Sequence, residues 1–388
     1  MTTTTNNEHK KLNVPNLRFP EFQGEWEKMR LDAFTERVMR KNKNNLSQLP
    51  LTISAQYGLV DQVTFFNKVI ASTDMSNYYL LKKGEFAYNK SYSSDYPWGA
   101  IKRLDRYDQG ALSSLYICFA LQDSIVSDYV LQYFESPKWH KGVSEIAVEG
   151  ARNHGLLNVS VQDFFHTYHY VPKEKEEQIK IGKFLALLDE RIATQNKVIE
   201  DLKKLKSAIS HILFSSKGAI HLSEIANVVM GQSPSSNAYN DQGLGMPLVQ
   251  GNLDISNGKT TPRLYTAEFN QTTEKGNIIL TVRAPVGEVA KATQKVCLGR
   301  GVCAIIPHEE NMSDFIYQYL TFYKFMWRRY EQGSTFTSIN GSDVRNIFCP
   351  KVRNVSILTL LDIKINIEER VVKQYQSQKQ YMLYQMFI

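Results

Sequence analysis

Apolar residues recur at three- and four-residue intervals along one stretch of the chain: Leu185, Leu188, Ile192, Ile199, Leu202, Ile209 and Leu213, with polar breaks at Gln195 and Lys206. The same frame returns 173 residues later as Leu358, Leu361, Ile365, Val372, Tyr375, Met382 and Met386, with breaks at Glu368 and Lys379. Asp189 and Asp362 each follow a leucine pair, and each precedes a phenylalanine, Phe214 or Phe387, by 25 residues. Neither span contains Pro or Gly. A seam sustained over about four heptads predicts paired, coiled-coil-type helices rather than a helix lying on a globular core. At ~1.5 Å per residue each would be roughly 45–50 Å long. Polar breaks in such a seam cost stability and fix register.

The segments before each helix correspond as well. Arg30-Leu31-Asp32-Ala33-Phe34 lines up with His221-Leu222-Ser223-Glu224-Ile225, and Leu49-Pro50-Leu51 with Met246-Pro247-Leu248. Lys83-Gly84-Glu85-Phe86 lines up with Lys275-Gly276-Asn277-Ile278, Ser127–Phe134 with Ser313–Leu320, and Leu157-Asn158 with Ile339-Asn340. The order is kept while the offset drifts, as expected if loops differ and elements are shared. Alternating runs at Leu51–Val60, Gly276–Val282 and Gly301–Ile306 read as strands, and Ser127–Phe134 and Ser313–Tyr323 as short helices. The expected class is α+β: two mixed α/β domains separated by a long antiparallel coiled-coil helix pair, pseudo-two-fold symmetric, without βαβ alternation. The boundaries read as a flexible tail over 1–16, a first domain over 17–170, a central helix over 171–216, a second domain over 217–350 and a C-terminal helix over 351–388.

Composition changes this picture little. The 388 residues carry a net charge of +7, but over 1–170, 171–216, 217–350 and 351–388 the excess is only +1, +2, +1 and +3. Any polyanion site must therefore come from local clustering. No apolar run reaches the ~20 residues of a membrane helix, and the polar start MTTTTNNEHKKLNV lacks a secretory core. Cys118, Cys297, Cys303 and Cys349 form no CxxC, so a reduced, cytoplasmic protein is expected, with no metal bound.

Further motifs carry a resemblance. Leu17-Arg18-Phe19-Pro20-Glu21-Phe22 with Gly24-Glu25-Trp26-Glu27, Leu51-Thr52-Ile53-Ser54 with Tyr57-Gly58-Leu59-Val60, and Pro172 with Glu177-Gln178-Ile179 and Leu187-Leu188-Asp189 form one set. Gly231-Gln232-Ser233-Pro234 and Arg283-Ala284-Pro285-Val286-Gly287 form a second. Their arrangement over essentially the whole chain resembles the specificity subunit of type I restriction–modification systems. The resemblance implies two target-recognition domains, and an asymmetric, bipartite double-stranded DNA target. It implies two modification (methyltransferase) subunits and two restriction (motor-nuclease) subunits as partners, which would use S-adenosylmethionine, ATP and Mg²⁺. No cofactor is expected on this chain. Two departures stand out: the approach to the second helix is five residues shorter than the first and lacks a Glu-Gln-x-x-Ile equivalent, and the sequence stops at Ile388 directly after it. Either would weaken contact with one modification subunit.

Reading sequence requires donors and acceptors at base edges, with cations setting register on phosphates. Polar loops at matching places in the two domains are the candidates: Arg40, Lys41 and Lys43 against Gln232, Ser233 and Ser235; Lys90 and Tyr92 against Arg283; and Arg152 and Asn153 against Ser334 and Thr335. Partner docking is expected on outward helix faces, at Glu177, Gln178, Lys203 and Lys204.

No catalytic residue is expected. Asn257-Gly258-Lys259-Thr260 ends like a phosphate-binding loop, but its first glycine position is Leu253. Asp95-Tyr96-Pro97-Trp98 approaches the Asp/Asn-Pro-Pro-aromatic motif of amino-methyltransferases with Tyr in place of the first Pro. His166 and His169 lack a third ligand, and the aromatic run Tyr317–Trp327 has the spacing of a core helix rather than a stacking platform. Two rival readings remain: a coiled-coil interaction scaffold that does not bind DNA, and a stand-alone DNA methyltransferase with atypical motifs.

Overall fold

The computed structural model describes every residue except 1–11, 69, 148–154, 216–218, 330–337 and 353. The chain forms two compact units, Met1–Thr194 with Val372–Ile388, and Gln195–Val371. The division differs from a simple succession of domain, helix, domain, helix, because each long helix gives one end to each unit. The central helix runs Lys175–Phe214 and the C-terminal helix Ser356–Gln385, 40 and 30 residues. The first outruns its apolar seam because acidic Glu176 and Glu177 sit in its opening turn, where the helix dipole favours negative charge. The second begins later, at a side-chain cap in which Asn354 Oδ1 accepts from the Ser356 amide at 2.9 Å.

The two units repeat one sheet plan. In the first, Thr35–Arg37, Ile117–Leu121, Phe86–Asn89 and Ala100–Arg103 form a sheet in that order. In the second, Ala226–Met230, Val302–Pro307, Ile278–Thr281 and Val289–Lys291 follow the same order, extended by two short strands. A further sheet in each holds one parallel pairing, Pro50–Ser54 with Gln109–Leu112 and Met246–Val249 with Val296–Leu298. The matched Lys-Gly turns also coincide. Gly84 and Gly276 have φ of 86° and 90°, a region open mainly to glycine, and their amides donate to Leu104 O and Ala292 O at 2.8 and 2.9 Å. Arg103 pairs with Asp128 in one unit as Lys291 pairs with Asp314 in the other. The α+β duplication expected from the sequence is thus present in backbone pairing as well as in residue order.

Helix pairing is antiparallel and reciprocal. In the first unit Lys379 Nζ meets Asp189 at 2.5 Å; in the second, Lys206 Nζ meets Asp362 at 2.6 Å. Since Asp189 and Lys206 correspond to Asp362 and Lys379, this is one contact made twice with the helices exchanged. Gln195 Nε2 donates to Glu368, its own counterpart. The apolar seam positions of both helices are buried or half-buried throughout.

The helix ends carry the same exchange into the cores. Phe387 packs between Tyr129 and Tyr133 with ring centroids at 5.5 and 5.6 Å, and Phe214 sits against Phe315 and Tyr319 at 6.3 and 5.3 Å. Each unit therefore receives an aromatic anchor from the helix that follows the other globular portion in sequence. Truncating such a buried ring typically costs about 3–5 kcal/mol. Phe387→Ala and Phe214→Ala are each expected to lower the urea midpoint by that order, followed by circular dichroism, each in the transition of its own unit.

Candidate nucleic-acid interface

In the second unit three adjacent strands end on one edge, where Met230 pairs with Cys303 and Thr281 with Val302. Beyond that edge the chain stays laced together. Gly231 N donates to Val302 O at 3.0 Å, Gln232 N to Leu298 O at 2.9 Å and Val282 N to Gly301 O at 2.9 Å. A side chain at residue 231 would meet Gly299 O at 2.1 Å, which is why the position is glycine. The Arg300 amide donates to Ser233 Oγ at 3.1 Å. Gln232, Ser233, Arg283 and Arg300 are thereby collected at one end of the sheet, and Gln232, Arg283 and Arg300 are exposed. Among the described residues neither arginine makes an ion pair. Ser235 lies just beyond, exposed, at the start of a short 3-10 turn.

Arg300 was not among the residues expected from the sequence. Its signal is the run Gly299-Arg300-Gly301: a Cβ at 301 would meet Gln250 O at 2.1 Å. The turn is close-packed on backbone and projects a single cationic side chain.

The first unit builds the corresponding edge differently. After Val38 donates to Cys118 O, the chain turns onto another strand: Leu80 N donates to Arg40 O at 2.8 Å and Asn42 N to Tyr78 O at 2.9 Å. Arg40 is spent internally, both terminal guanidinium nitrogens donating to Glu85 Oε1 at 2.9 and 2.5 Å. Lys41 donates to Asn77 O at 2.8 Å and lies 4.3 Å over the Tyr79 ring. Lys43 is exposed. Lys90 Nζ reaches Val159 O at 3.4 Å, and Tyr92 N donates to Gly155 O at 3.1 Å. Ser91 bridges Leu156 as Arg283 bridges Ser338, so this pair of loops has matching backbone pairing. Arg152, Asn153, Ser334 and Thr335 lie outside the described residues.

Two of the expected docking residues are structural instead. Glu177 is 1% exposed, accepting from Arg18 Nε at 2.7 Å and Trp26 Nε1 at 3.2 Å, and that carboxylate raises the Arg18 pKa. Gln178 accepts from Val126 N and donates to Pro172 O, both at 2.9 Å. The helix's first turn folds back onto the globular portion, which reverses the outward orientation read from the sequence. Lys203 pairs with Glu369 and Lys204 with Glu200. The helix surfaces instead expose apolar side chains, including Leu187 and its counterpart Leu360 at 55% and 63%, and Val198, Leu205 and Ile212.

His169 and the Asn257-Gly258 pair are both taken up by the fold. His169 is buried, Nδ1 facing Tyr133 OH and Nε2 facing Thr167 Oγ1 at 2.8 Å each; burial pushes its pKa down to about 3. Both ring nitrogens are thus engaged. Asn257 and Gly258 form the turn of a hairpin between Ile255–Ser256 and Lys259–Thr260. Burial raises the Cys118, Cys303 and Cys349 thiols to about 12. Among the described residues no group of acidic, His or Cys side chains is placed to hold a metal, and no helix is long and apolar enough to cross a membrane.

Residues 218–374 match the family described as type I restriction modification DNA specificity domain. The chain is similar to a putative type I restriction enzyme MjaX specificity subunit of Methanocaldococcus jannaschii, 31% identical over 244 residues, 57% of this chain and 56% of that protein. The match therefore spans little more than half of the relative's length. The fold is similar to a chain solved in a study of complex assembly and conformational transition of a type I R-M system. The TM-score is 0.60 at 19% identity, covering 92% of this chain and 96% of that one. It is also similar to the type I restriction-modification S subunit from M. genitalium, with TM-score 0.59 at 18% identity over 97% and 99%.

If the sheet edge around Arg283 and Arg300 meets phosphates, Arg283→Ala and Arg300→Ala will each weaken duplex DNA binding and reduce the slope of log K against log salt by about 0.9. Arg40→Gln, whose cation is already paired, will leave that slope unchanged. Fluorescence anisotropy across a salt series measures both.

Proposed function

We propose that the chain is a specificity subunit of the type I restriction-modification kind, without chemistry of its own, and that it reads DNA on behalf of partner subunits; the match of residues 218–374 and the likeness to the MjaX specificity subunit support this reading. One observation carries the reading: a single fold occurs twice, with the same sheet edge dressed by different side chains. Gln232, Ser233, Arg283 and Arg300 occupy it in the second unit, where the first has Lys90, Ser91 and Tyr92. Two related readers with unlike edges fit a target of two unlike half-sites with an unspecified spacer between them. Base-edge donors and acceptors on each edge would set one half-site, and the cations its phosphate register.

The chemistry then belongs to the partners. Two adenine methyltransferase subunits using S-adenosylmethionine, and two motor-nuclease subunits using ATP and Mg²⁺, complete the proposed assembly in the cytoplasm. Leu187 and Leu360 support two equivalent docking places for the modification subunits, since exposed leucines at corresponding positions of two helices present the same apolar contact twice.

Single-molecule methylome sequencing of cells with and without this chain tests the reading. Adenine methylation at an asymmetric, interrupted motif that vanishes without the chain is the expected result; an uninterrupted motif or none at all would sink it. Leu187→Glu and Leu360→Glu are each expected to lower the number of modification subunits bound by one, measured by native mass spectrometry of the co-expressed complex.

A further inference from the structure

The turn that displays Arg300 has a counterpart in the first unit with different chemistry. In the second unit, strand Val296–Leu298 runs parallel to Met246–Val249 and leads into the turn Gly299–Val302, closed by Val302 N donating to Gly299 O at 3.2 Å. In the first, strand Gln109–Leu112 runs parallel to Pro50–Ser54 and leads into the turn Ser113–Tyr116, closed by Tyr116 N donating to Ser113 O, also at 3.2 Å. The two turns hold the same place in matching sheets. Arg300 and Gly301 stand where the first unit has Ser114 and Leu115, and Leu115 is 67% exposed.

Beside this turn the first unit exposes aromatic rings. Pro50–Ser54 continues into Gly58–Asp61 as a hairpin, and Thr52 Oγ1 lies 3.3 Å from Tyr116 OH, which holds the hairpin against the turn. Tyr57 at the hairpin tip is 58% exposed, and Phe65 and Phe66 on the short helix Gln62–Phe66 are 43% exposed each. The Phe65 ring centroid lies 6.4 Å from that of Tyr57 and 5.0 Å from that of Phe66, so the three rings form one patch. Single exposed apolar residues are ordinary on a protein surface, whereas a contiguous aromatic patch marks a contact. Asp61 is taken up as the cap of the short helix, accepting from Val63 N at 3.0 Å and from Thr64 Oγ1. Among the described residues of 50–70 and 109–116, Lys68 is the one exposed charge, so this edge carries nothing that repels a phosphate backbone.

A cation on such a turn suits a phosphate. Exposed apolar side chains gain nothing from one; they gain contact when wedged between base pairs, where they partly unstack a step and kink the duplex. We propose that Leu115, with Tyr57, Phe65 and Phe66 beside it, is an apolar wedge by which the first unit opens one base step of its own half-site. This rests on the DNA-reading function proposed above and deepens it. The two units then differ in how they read: the second through cations and amides at its edge, the first through the deformability of the duplex as well. The opened step is a pyrimidine–purine step, because those steps unstack at least cost.

The test uses the full chain co-expressed with its partner subunits, bound to duplexes carrying the target found by methylome sequencing. 2-Aminopurine is placed singly along both half-sites, away from the methylated adenine. On binding, the probe brightens at one step of one half-site and at none of the other, because its neighbour there is unstacked. Leu115→Ala and the double variant Phe65→Ala/Phe66→Ala each abolish that brightening and weaken binding about tenfold. The slope of log K against log salt stays that of the wild type, since no phosphate contact is lost. Leu115→Phe, which keeps an apolar wedge, keeps the brightening. A wild-type complex in which no step brightens overturns the proposal, as does brightening that survives both alanine variants. So does loss of a partner subunit from the Leu115→Ala complex, seen by native mass spectrometry with the DNA signal unchanged, which would make the patch a protein contact. A wild-type methylome without a bipartite motif instead removes the functional reading itself, and is distinguishable because it appears before any substitution is made.

Discussion

The exchanged contact between the two long helices is the constraint on which the remaining structure depends. A lysine in the seam of one helix is satisfied only by an aspartate seventeen positions from its counterpart's place on the other, and the chain meets this requirement twice with roles reversed. Apolar seam residues tolerate several offsets, because a leucine packs against many neighbours at similar energy. A half-buried ion pair does not, since the misplaced partner leaves a charge without compensation. Register is therefore specified by the polar breaks and made stable by the apolar positions between them.

From that register the rest follows in order. The helix ends arrive where Phe214 and Phe387 can enter the two cores, and each core then packs its short helix on a sheet of fixed strand order. The sheet in turn determines which loops emerge together. In the second unit the edge beyond Met230, Thr281 and Val302 gathers side chains that lie tens of residues apart in sequence. In the first unit the same edge is altered by one change of course after Val38, and its cations turn inward to Glu85 and Asn77. Framework and edge are thus physically separable: hydrogen-bonded backbone holds the first constant, and local loop pairing varies the second.

How much of this the sequence disclosed depends on whether a feature is periodic or coincidental. The helices, their breaks and the order of matched segments were legible because periodicity survives without knowledge of neighbours. The loops at Lys90–Tyr92 and Arg283 could be matched by alignment of the repeats, but their bridges to Leu156 and Ser338 appear only in the fold. What escaped was set by non-local packing. Glu177 and Gln178 look like ordinary polar helix positions, and only the return of Arg18, Trp26 and Val126 onto that turn buries them. Arg40 looks like a free cation until Glu85 is brought beside it. Arg300 passed unnoticed because a lone arginine between glycines has no period, and its significance arises from the tight turn that displays it.

The first unit is completed by residues Val372–Ile388, with Phe387 seated among Trp26, Tyr129 and Tyr133. Synthesis proceeds from the amino end, so this core must wait, with its aromatic socket open, while the whole second unit is made. The ribosome thereby delivers the keystone of the first domain only after Gln195–Val371 have been made, and the nascent chain stays vulnerable to wrong partners throughout that interval.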